Sequence, residues 1–238
     1  MAIMQQLRSR RTLPSDSADR ILLKTQRRPS FIIFDLGNVL VHIDPLSFLR
    51  SLSIDSAENR RYYQPLIVDI VKRYERGDES TEEFLANLDI LFNSDSSRHK
   101  HDHGGKAMFS RSEFQAAMLS IIGDPVIGME EVVRRMSAST PLGLLSNTNP
   151  LHFAYCLERF PVLRYIPTHF LSYQLRAFKP ETEIFNRVAA RLPFSPETVL
   201  YIDDLPDNVH AGEAVGFQTC LFVGVEKLMQ LFHELGLA

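Results

Sequence analysis

Four short apolar runs, each bounded by polar or turn-forming residues, stand out along the chain. They are residues 31–34, 142–145, 199–202 and 220–223, with a weaker candidate at 170–172. A continuous apolar run of this length is typical of a parallel strand that is buried on both faces. Apolar residues at helical spacing lie between the runs, most clearly at 184–192. Alternating strands and helices predict an α/β fold with a Rossmann-like, doubly wound parallel sheet.

Residues 45–136 have a different pattern, with several predicted helices and no convincing strand. The best helix begins at Ser80, where Ser-Thr-Glu-Glu has the form of a capping box and an apolar stripe follows it. A helical block of this length after the first strand predicts an inserted helical cap. The α/β core then consists of residues 30–44 and 137–238.

Two further segments are polar and lack a helix or strand signal. Residues 1–29 hold six arginines and one lysine against two aspartates, and they lack the apolar core of a secretory signal. We therefore expect a basic, flexible extension on a cytoplasmic protein. In residues 93–106, which are rich in Ser and Gly, His99, His101 and His103 alternate with other polar residues. A solvated loop is the preferred interpretation over a metal clamp.

Composition and charge restrict the class of protein further. The chain has 238 residues, of which 45% are hydrophobic and 23% charged, as in ordinary globular proteins. It has no apolar stretch long enough to span a bilayer, so we expect no membrane partner. Because the net charge is −3 in spite of the basic N-terminus, the body is acidic, which argues against nucleic-acid binding. Cys156 and Cys220 are far apart, so neither a disulfide scaffold nor a cysteine zinc site is expected.

Polar residues with a common chemistry follow three of the predicted strands. They are Asp35, the pair Ser146 and Asn147, and the pair Asp203 and Asp204, and Lys179 precedes a neighbouring helix. The carboxyl edge of an open α/β sheet is where ligands bind. Three carboxylates packed together cannot all stay ionised without a cation, and Mg²⁺ prefers such oxygen ligands. The ion and the lysine would attract a phosphate dianion, and a carboxylate aimed at phosphorus can act as a nucleophile.

Four segments resemble, in order, the four motifs of the haloacid dehalogenase superfamily. They are residues 34–40, 145–149, 178–181 and 201–208. Residues 74–84 resemble the helical cap of the branch that includes bacterial glucose-1-phosphate phosphatases and the phosphatase domain of soluble epoxide hydrolase. The resemblance covers about residues 30–225, and four motifs in order are far more specific than any one of them.

The resemblance implies a role for each residue of the set. Asp35 would be the nucleophile and a metal ligand, the Gly37 carbonyl a second ligand, and Asp204 a direct Mg²⁺ ligand, with Asp203 acting through water. Ser146 and Asn147 would hold the phosphate, with backbone N–H groups of the turn at Gly37 and Asn38. Lys179 would steady the nucleophile and the transferring group, and Asn208 would orient the acidic loop.

One departure from the superfamily pattern leaves three functions open. Most phosphatases of this superfamily have a second Asp, an acid–base group, where this chain has Gly37; His42 and Asp44 are candidate substitutes. The preferred function is a Mg²⁺-dependent phosphatase for a small phosphorylated metabolite, with a hexose 1-phosphate favoured by the branch. The alternatives are a metal-independent 2-haloacid dehalogenase, against which the paired acids argue, and a phosphoester-binding module with little turnover. The oligomeric state stays open.

Overall fold

A computed structural model of the chain describes residues 27–94 and 109–237. Most of the predicted basic extension and the predicted histidine loop, with His99, His101 and His103, lie outside the described residues. The strands are β1 (Phe31–Phe34), β2 (Val41–Ile43), β3 (Ile122–Pro125), β4 (Leu142–Ser146), β5 (Thr168–Leu171), β6 (Val199–Asp203) and β7 (Gln218–Leu221).

The helices that the structure describes surround the main sheet and form the inserted segment. They are α1 (Ser47–Ser51), α2 (Ala57–Arg76), α3 (Thr81–Asn93), α4 (Arg111–Leu119), α5 (Met129–Ser137), α6 (Pro150–Arg159), α7 (Ser172–Leu175), α8 (Thr182–Ala189), α9 (Pro206–Ala214) and α10 (Val225–Glu234), with short 3₁₀ turns at Pro161–Tyr165 and Pro196–Thr198. None of these described helices has the length and apolarity needed to cross a membrane.

The main sheet has five parallel strands in the order β5-β4-β1-β6-β7. Successive side chains of a strand point to opposite faces. Accordingly, Phe31 and Ile33 of β1 pack with α8 and α9, whereas Ile32 and Phe34 pack with α5, α6 and α10. Helices thus cover both faces, and the predicted doubly wound α/β fold is confirmed. The last strand begins at Gln218, two residues before the predicted run, because the side chains of Gln218 and Thr219 are buried and bonded.

The inserted segment has its own apolar cluster, formed by α1 to α4. Its aromatic residues lie in contact, as in the pair Tyr74 and Phe84, whose ring centroids are 4.3 Å apart. The predicted capping box at Ser80 is present, because its side chain accepts from the Glu83 N–H and the Glu83 carboxylate accepts from the Ser80 N–H. The helix α3 therefore begins where the sequence predicts.

The prediction that residues 45–136 contain no strand is wrong, because β3 lies there and pairs antiparallel with β2. The sequence of β3, Ile-Gly-Asp-Pro, has neither an apolar run nor alternation, so its pairing partner defines the strand. The helix α5 also lies in this segment, yet Met129, Val132 and Met136 pack in the cluster beneath the main sheet. We therefore propose that the second part of the core begins near residue 126 rather than at 137.

Candidate active site

Two neighbouring strands bring the predicted acidic residues to one edge of the sheet. The central strand β1 is followed by Asp35, and the adjacent β6 ends at Asp203, next to Asp204. One carboxylate oxygen from each of these three residues lies within 4.8 Å of the others. The edge on which they meet is the carboxyl end of the parallel strands, as the sequence predicts.

Lys179 lies at the centre of this acidic group. Its Nζ donates to Asp35 Oδ1 and Asp203 Oδ2 at 2.7 Å each and to the Leu145 carbonyl at 3.0 Å, so all three of its N–H bonds are used. Burial alone would lower the pKa of Lys179, but attraction by Asp203 and Asp35 raises it above its ordinary value. The lysine is therefore a buried cation that bridges two carboxylates.

The buried carboxylate of Asp203 is held by donors on every side. Oδ1 accepts from the Leu205 N–H and Asn208 Nδ2 at 2.9 Å each. Oδ2 accepts from Lys179 Nζ, from the Tyr201 hydroxyl and from Asn208 Nδ2. Asn208 thus makes the contact that an orienting role requires. With this many donors, Asp203 serves as an anchor for Lys179, and its indirect role at the metal stays a prediction.

Asp35 and Asp204 lie in surroundings that disfavour their ionised forms. Burial, opposed by Lys179 and reinforced by Asp203 and Asp204, raises the pKa of Asp35 to about 8. Burial and the nearby Asp203 raise the pKa of Asp204 to about 6. A divalent cation among these oxygens would offset the repulsion, and carboxylates are the ligands that Mg²⁺ prefers. The donor set therefore fits Mg²⁺, with Asp35 and Asp204 as the carboxylates to hold it.

The turn after Asp35 is tied to the acidic loop by Asn38. This residue has a left-handed backbone with φ of 54°. Its Nδ2 donates to Asp204 Oδ2 at 3.1 Å, and its Oδ1 accepts from the Ile43 N–H at 3.2 Å. The Asn38 side chain thus positions Asp204, a contact that sequence reasoning missed because it considered only the backbone of this turn.

At Gly37, the position of the missing acid–base residue, an apolar side chain fills the adjacent space. A Cβ added at Gly37 would lie 3.0 Å from Ile43 Cδ1. Of the two candidate substitutes, His42 is exposed, and Asp44 accepts from the Leu46 N–H at the start of α1 and pairs with Arg50. The catalytic role of either remains a hypothesis, and the contacts of Asp44 are those of a residue that fixes a helix.

Ser146 ends β4 and Asn147 follows it at the same edge, and both are buried. The Asn147 side chain makes two hydrogen bonds to the backbone of Lys179, each 2.9 Å long. Their predicted phosphate contacts stay predictions. The next residue, Thr148, donates its N–H to the buried Ser172 hydroxyl at 3.0 Å, and that hydroxyl lies 2.7 Å from the Glu75 carbonyl of α2. Ser172 is the last residue of the weakest predicted strand, and its place at a strand end was the signal that could have identified it.

The end of α2 lies against the loop that carries Lys179. Arg76 pairs with Glu181 at 2.7 Å and stacks on the Phe178 ring at 4.5 Å. A Cβ added at Gly77 would lie 2.2 Å from the Tyr173 carbonyl oxygen, so the two backbones are in close contact. These contacts fix the inserted segment beside the acidic cluster.

A family profile, a protein sequence and solved structures that are similar to this chain point to related hydrolases. The family profile of haloacid dehalogenase-like hydrolases matches residues 30–216. The D-ribitol-5-phosphate phosphatase of Bacteroides thetaiotaomicron is 28% identical over 199 residues, which cover 79% of this chain and 89% of that protein. The structure of the HAD family enzyme bt-2542 from the same organism has a TM-score of 0.71 at 23% identity, covering 87% of this chain and 99% of that one. Its complex with magnesium and inorganic phosphate has a TM-score of 0.69 at 23% identity, covering 86% of this chain and 99% of that one. The family profile spans well over half of the sequence, and the chain therefore belongs to the haloacid dehalogenase-like hydrolases.

Proposed function

We propose that this protein is a Mg²⁺-dependent phosphatase that hydrolyses a small phosphomonoester through an aspartyl-phosphate on Asp35. The observation that carries the proposal is the arrangement of the Asp35 carboxylate. Oδ1 accepts from Lys179 Nζ and from the Leu36 N–H, each at 2.7 Å. Among the described residues no donor is bonded to Oδ2, which makes Oδ2 the oxygen for nucleophilic attack.

In the first step, Asp35 Oδ2 attacks phosphorus, the bond from phosphorus to the ester oxygen breaks, and its electron pair leaves with the alkoxide. The positive charge of Lys179 and the Ser146 hydroxyl stabilise charge on the transferring oxygens. When bound, Mg²⁺ neutralises charge on the nucleophile and the phosphoryl group. In the second step, water attacks the phosphorus of the aspartyl-phosphate, which releases inorganic phosphate and restores Asp35.

Two relatives support this chemistry over the alternatives. One is named as a sugar-alcohol phosphate phosphatase, and a structural neighbour holds magnesium and inorganic phosphate. The dehalogenase alternative needs no metal, yet Asp35, Asp203 and Asp204 form a cluster suited to one. A binding module with little turnover would need the same cluster, so only a measurement of turnover separates it from the phosphatase.

For the substrate, we propose a sugar phosphate, with a hexose 1-phosphate as the first candidate. Gly37 offers no acid to protonate the leaving group, and Ile43 lies against the position where such a group would be. A sugar C1 phosphate has a better leaving group than an ordinary alkyl phosphate, so it needs less protonation. A sugar-alcohol phosphate is the second candidate, because the curated relative acts on D-ribitol 5-phosphate.

The test is release of phosphate from a panel of hexose 1-phosphates, hexose 6-phosphates and pentitol phosphates with Mg²⁺ present. We expect turnover that is lost on addition of EDTA and in the Asp35→Asn variant. The best substrate then decides between the two candidates. Beryllofluoride binding without turnover on any panel member would instead favour the binding module, and halide release from a 2-haloacid without metal would favour the dehalogenase.

A further inference from the structure

The side chain of Asn147 makes a reciprocal pair of hydrogen bonds with the Lys179 peptide. Asn147 Nδ2 donates to the Lys179 carbonyl, and the Lys179 N–H donates to Asn147 Oδ1, each at 2.9 Å. Both residues are buried, with 7% and 1% of their surface exposed. The side-chain amide of Asn147 thus holds both backbone polar groups of Lys179, and it fixes the position of that backbone segment.

The backbone position of Lys179 determines where its ammonium lies. Nζ reaches three acceptors at once, and two of them are the carboxylates of Asp35 and Asp203. A catalytic group that moves by about 1 Å can lose on the order of 100-fold in rate. The segment that carries Lys179 follows α7 and precedes α8. The residue of this segment to which Asn147 is bonded is Lys179 itself. Loss of Asn147 would therefore release the lysine from its place.

We propose that Asn147 is a positioning residue that acts through Lys179, rather than a ligand whose side chain binds the phosphate. It joins two segments that the phosphoryl group must contact together, the loop after β4 with Ser146 and the loop with Lys179. Its Oδ1 and one Nδ2–H already bond to the lysine backbone. The inference rests on the proposed function, since it concerns the use of Lys179 in phosphoryl transfer.

The chain offers a matched control two residues further on. Asn149 is also a buried asparagine, but its Oδ1 accepts from the His152 N–H at the start of α6 and its Nδ2 bonds His152 Nδ1. Asn147→Ala and Asn149→Ala remove the same atoms from the same loop. We expect Asn147→Ala to lower kcat about 10- to 100-fold. Asn149→Ala should lower Tm while kcat stays within about 3-fold. Equal losses of kcat in both variants would reduce Asn147 to a structural role and overturn the proposal.

A double-mutant cycle tests whether Asn147 acts through the lysine. Binding of inorganic phosphate with Mg²⁺ is measured by calorimetry in the wild type, Asn147→Ala, Lys179→Met and the double variant. We expect Asn147→Ala to weaken phosphate binding about 10-fold when Lys179 is present and less than about 2-fold in the Lys179→Met background. An equal loss in both backgrounds would mean an independent phosphate contact and would overturn the proposal.

Two provisions keep the outcome decisive. If Asn147→Ala does not fold, Asn147→Ser takes its place in the cycle, because its hydroxyl keeps a polar group at this buried position and adds no charge that would repel phosphate. If the wild type binds phosphate but hydrolyses no ester, the proposed function fails, while the cycle still reports on the coupling between Asn147 and Lys179. The failure of one is thus distinguishable from the failure of the other.

Discussion

Asp35, the proposed nucleophile, is expected to destabilise the Mg²⁺-free protein. Burial raises the pKa of Asp35 from 3.8 to about 8, with Lys179 opposing this effect and Asp203 and Asp204 adding to it. For an acid whose pKa is higher in the folded state, the free energy of unfolding falls as the pH rises from about 4 towards 8. Asp35→Asn removes the ionisation and keeps an oxygen that can accept from Lys179. We therefore predict that this variant is more stable than the wild type in EDTA.

The size of the effect follows from the shift of the pKa. One unit corresponds to about 1.4 kcal/mol, so the shift of Asp35 represents on the order of 5 kcal/mol once the pH exceeds 8. A new buried Nδ2–H donor in the variant costs about 1–3 kcal/mol. The net gain expected at pH 8 is about 2–4 kcal/mol, or a Tm higher by about 5–10 °C for a domain of this size.

The assay is thermal unfolding followed by circular dichroism at pH 5, 6, 7 and 8, with EDTA or Mg²⁺. The gain should grow with pH in EDTA and shrink with Mg²⁺, because the ion stabilises the ionised wild type. Asp124→Asn is the control, since the Asp124 side chain is 88% exposed and its change should stay within about 0.5 kcal/mol. A variant that is less stable than the wild type at pH 8 in EDTA would refute the reasoning.

The remaining predictions concern the cap and the position of the missing acid. Ser80→Ala should lower the free energy of unfolding in urea by about 1 kcal/mol, because the capping box at α3 is lost; no change would contradict its role. Gly77→Ala should cost more than about 2 kcal/mol in the same assay, because its Cβ would meet the Tyr173 carbonyl at 2.2 Å and φ is +78°. Gly37→Asp combined with Ile43→Ala should raise kcat/KM for alkyl phosphates at least about 10-fold more than it raises kcat/KM for aryl phosphates. An equal change for both classes would exclude an acid role for the new side chain.

The strands β1, β4 and β6 of the main sheet could be predicted because each is mainly an apolar run that carries its own signal. The other two, β5 and β7, could be located only in part, because each begins with two polar residues. The strand β3 could not, since its residues 122–125 include one apolar side chain and its pairing with β2 is set by the fold. The helix α5 is amphipathic, but an apolar stripe does not say which cluster it joins. Its burial beneath the main sheet therefore had to come from the structure.

In the candidate site, the types of residue were predictable and several of their contacts were not. Asp35 and Asp203 follow or end apolar strands, and topology alone brings such residues to one edge. By contrast, Tyr201 lies within an apolar run that predicts only a buried strand, although its hydroxyl donates to Asp203. The pairing of Asn147 with Lys179 joins residues 32 positions apart through a backbone, and no sequence pattern encodes such a contact.

The two substrate candidates make opposite demands on the space beside Gly37. D-ribitol 5-phosphate is the ester of a primary alcohol, whose alkoxide leaves slowly unless it is protonated, whereas a hexose 1-phosphate has a more acidic leaving group. Ile43 places an apolar tip beside this position, and it also packs against the apolar cluster of the inserted segment. If no acid serves the reaction, the rate must fall steeply as the pKa of the leaving alcohol rises. A shallow dependence would mean that a proton donor reaches the leaving oxygen from elsewhere, and the pentitol phosphate would then become the better candidate.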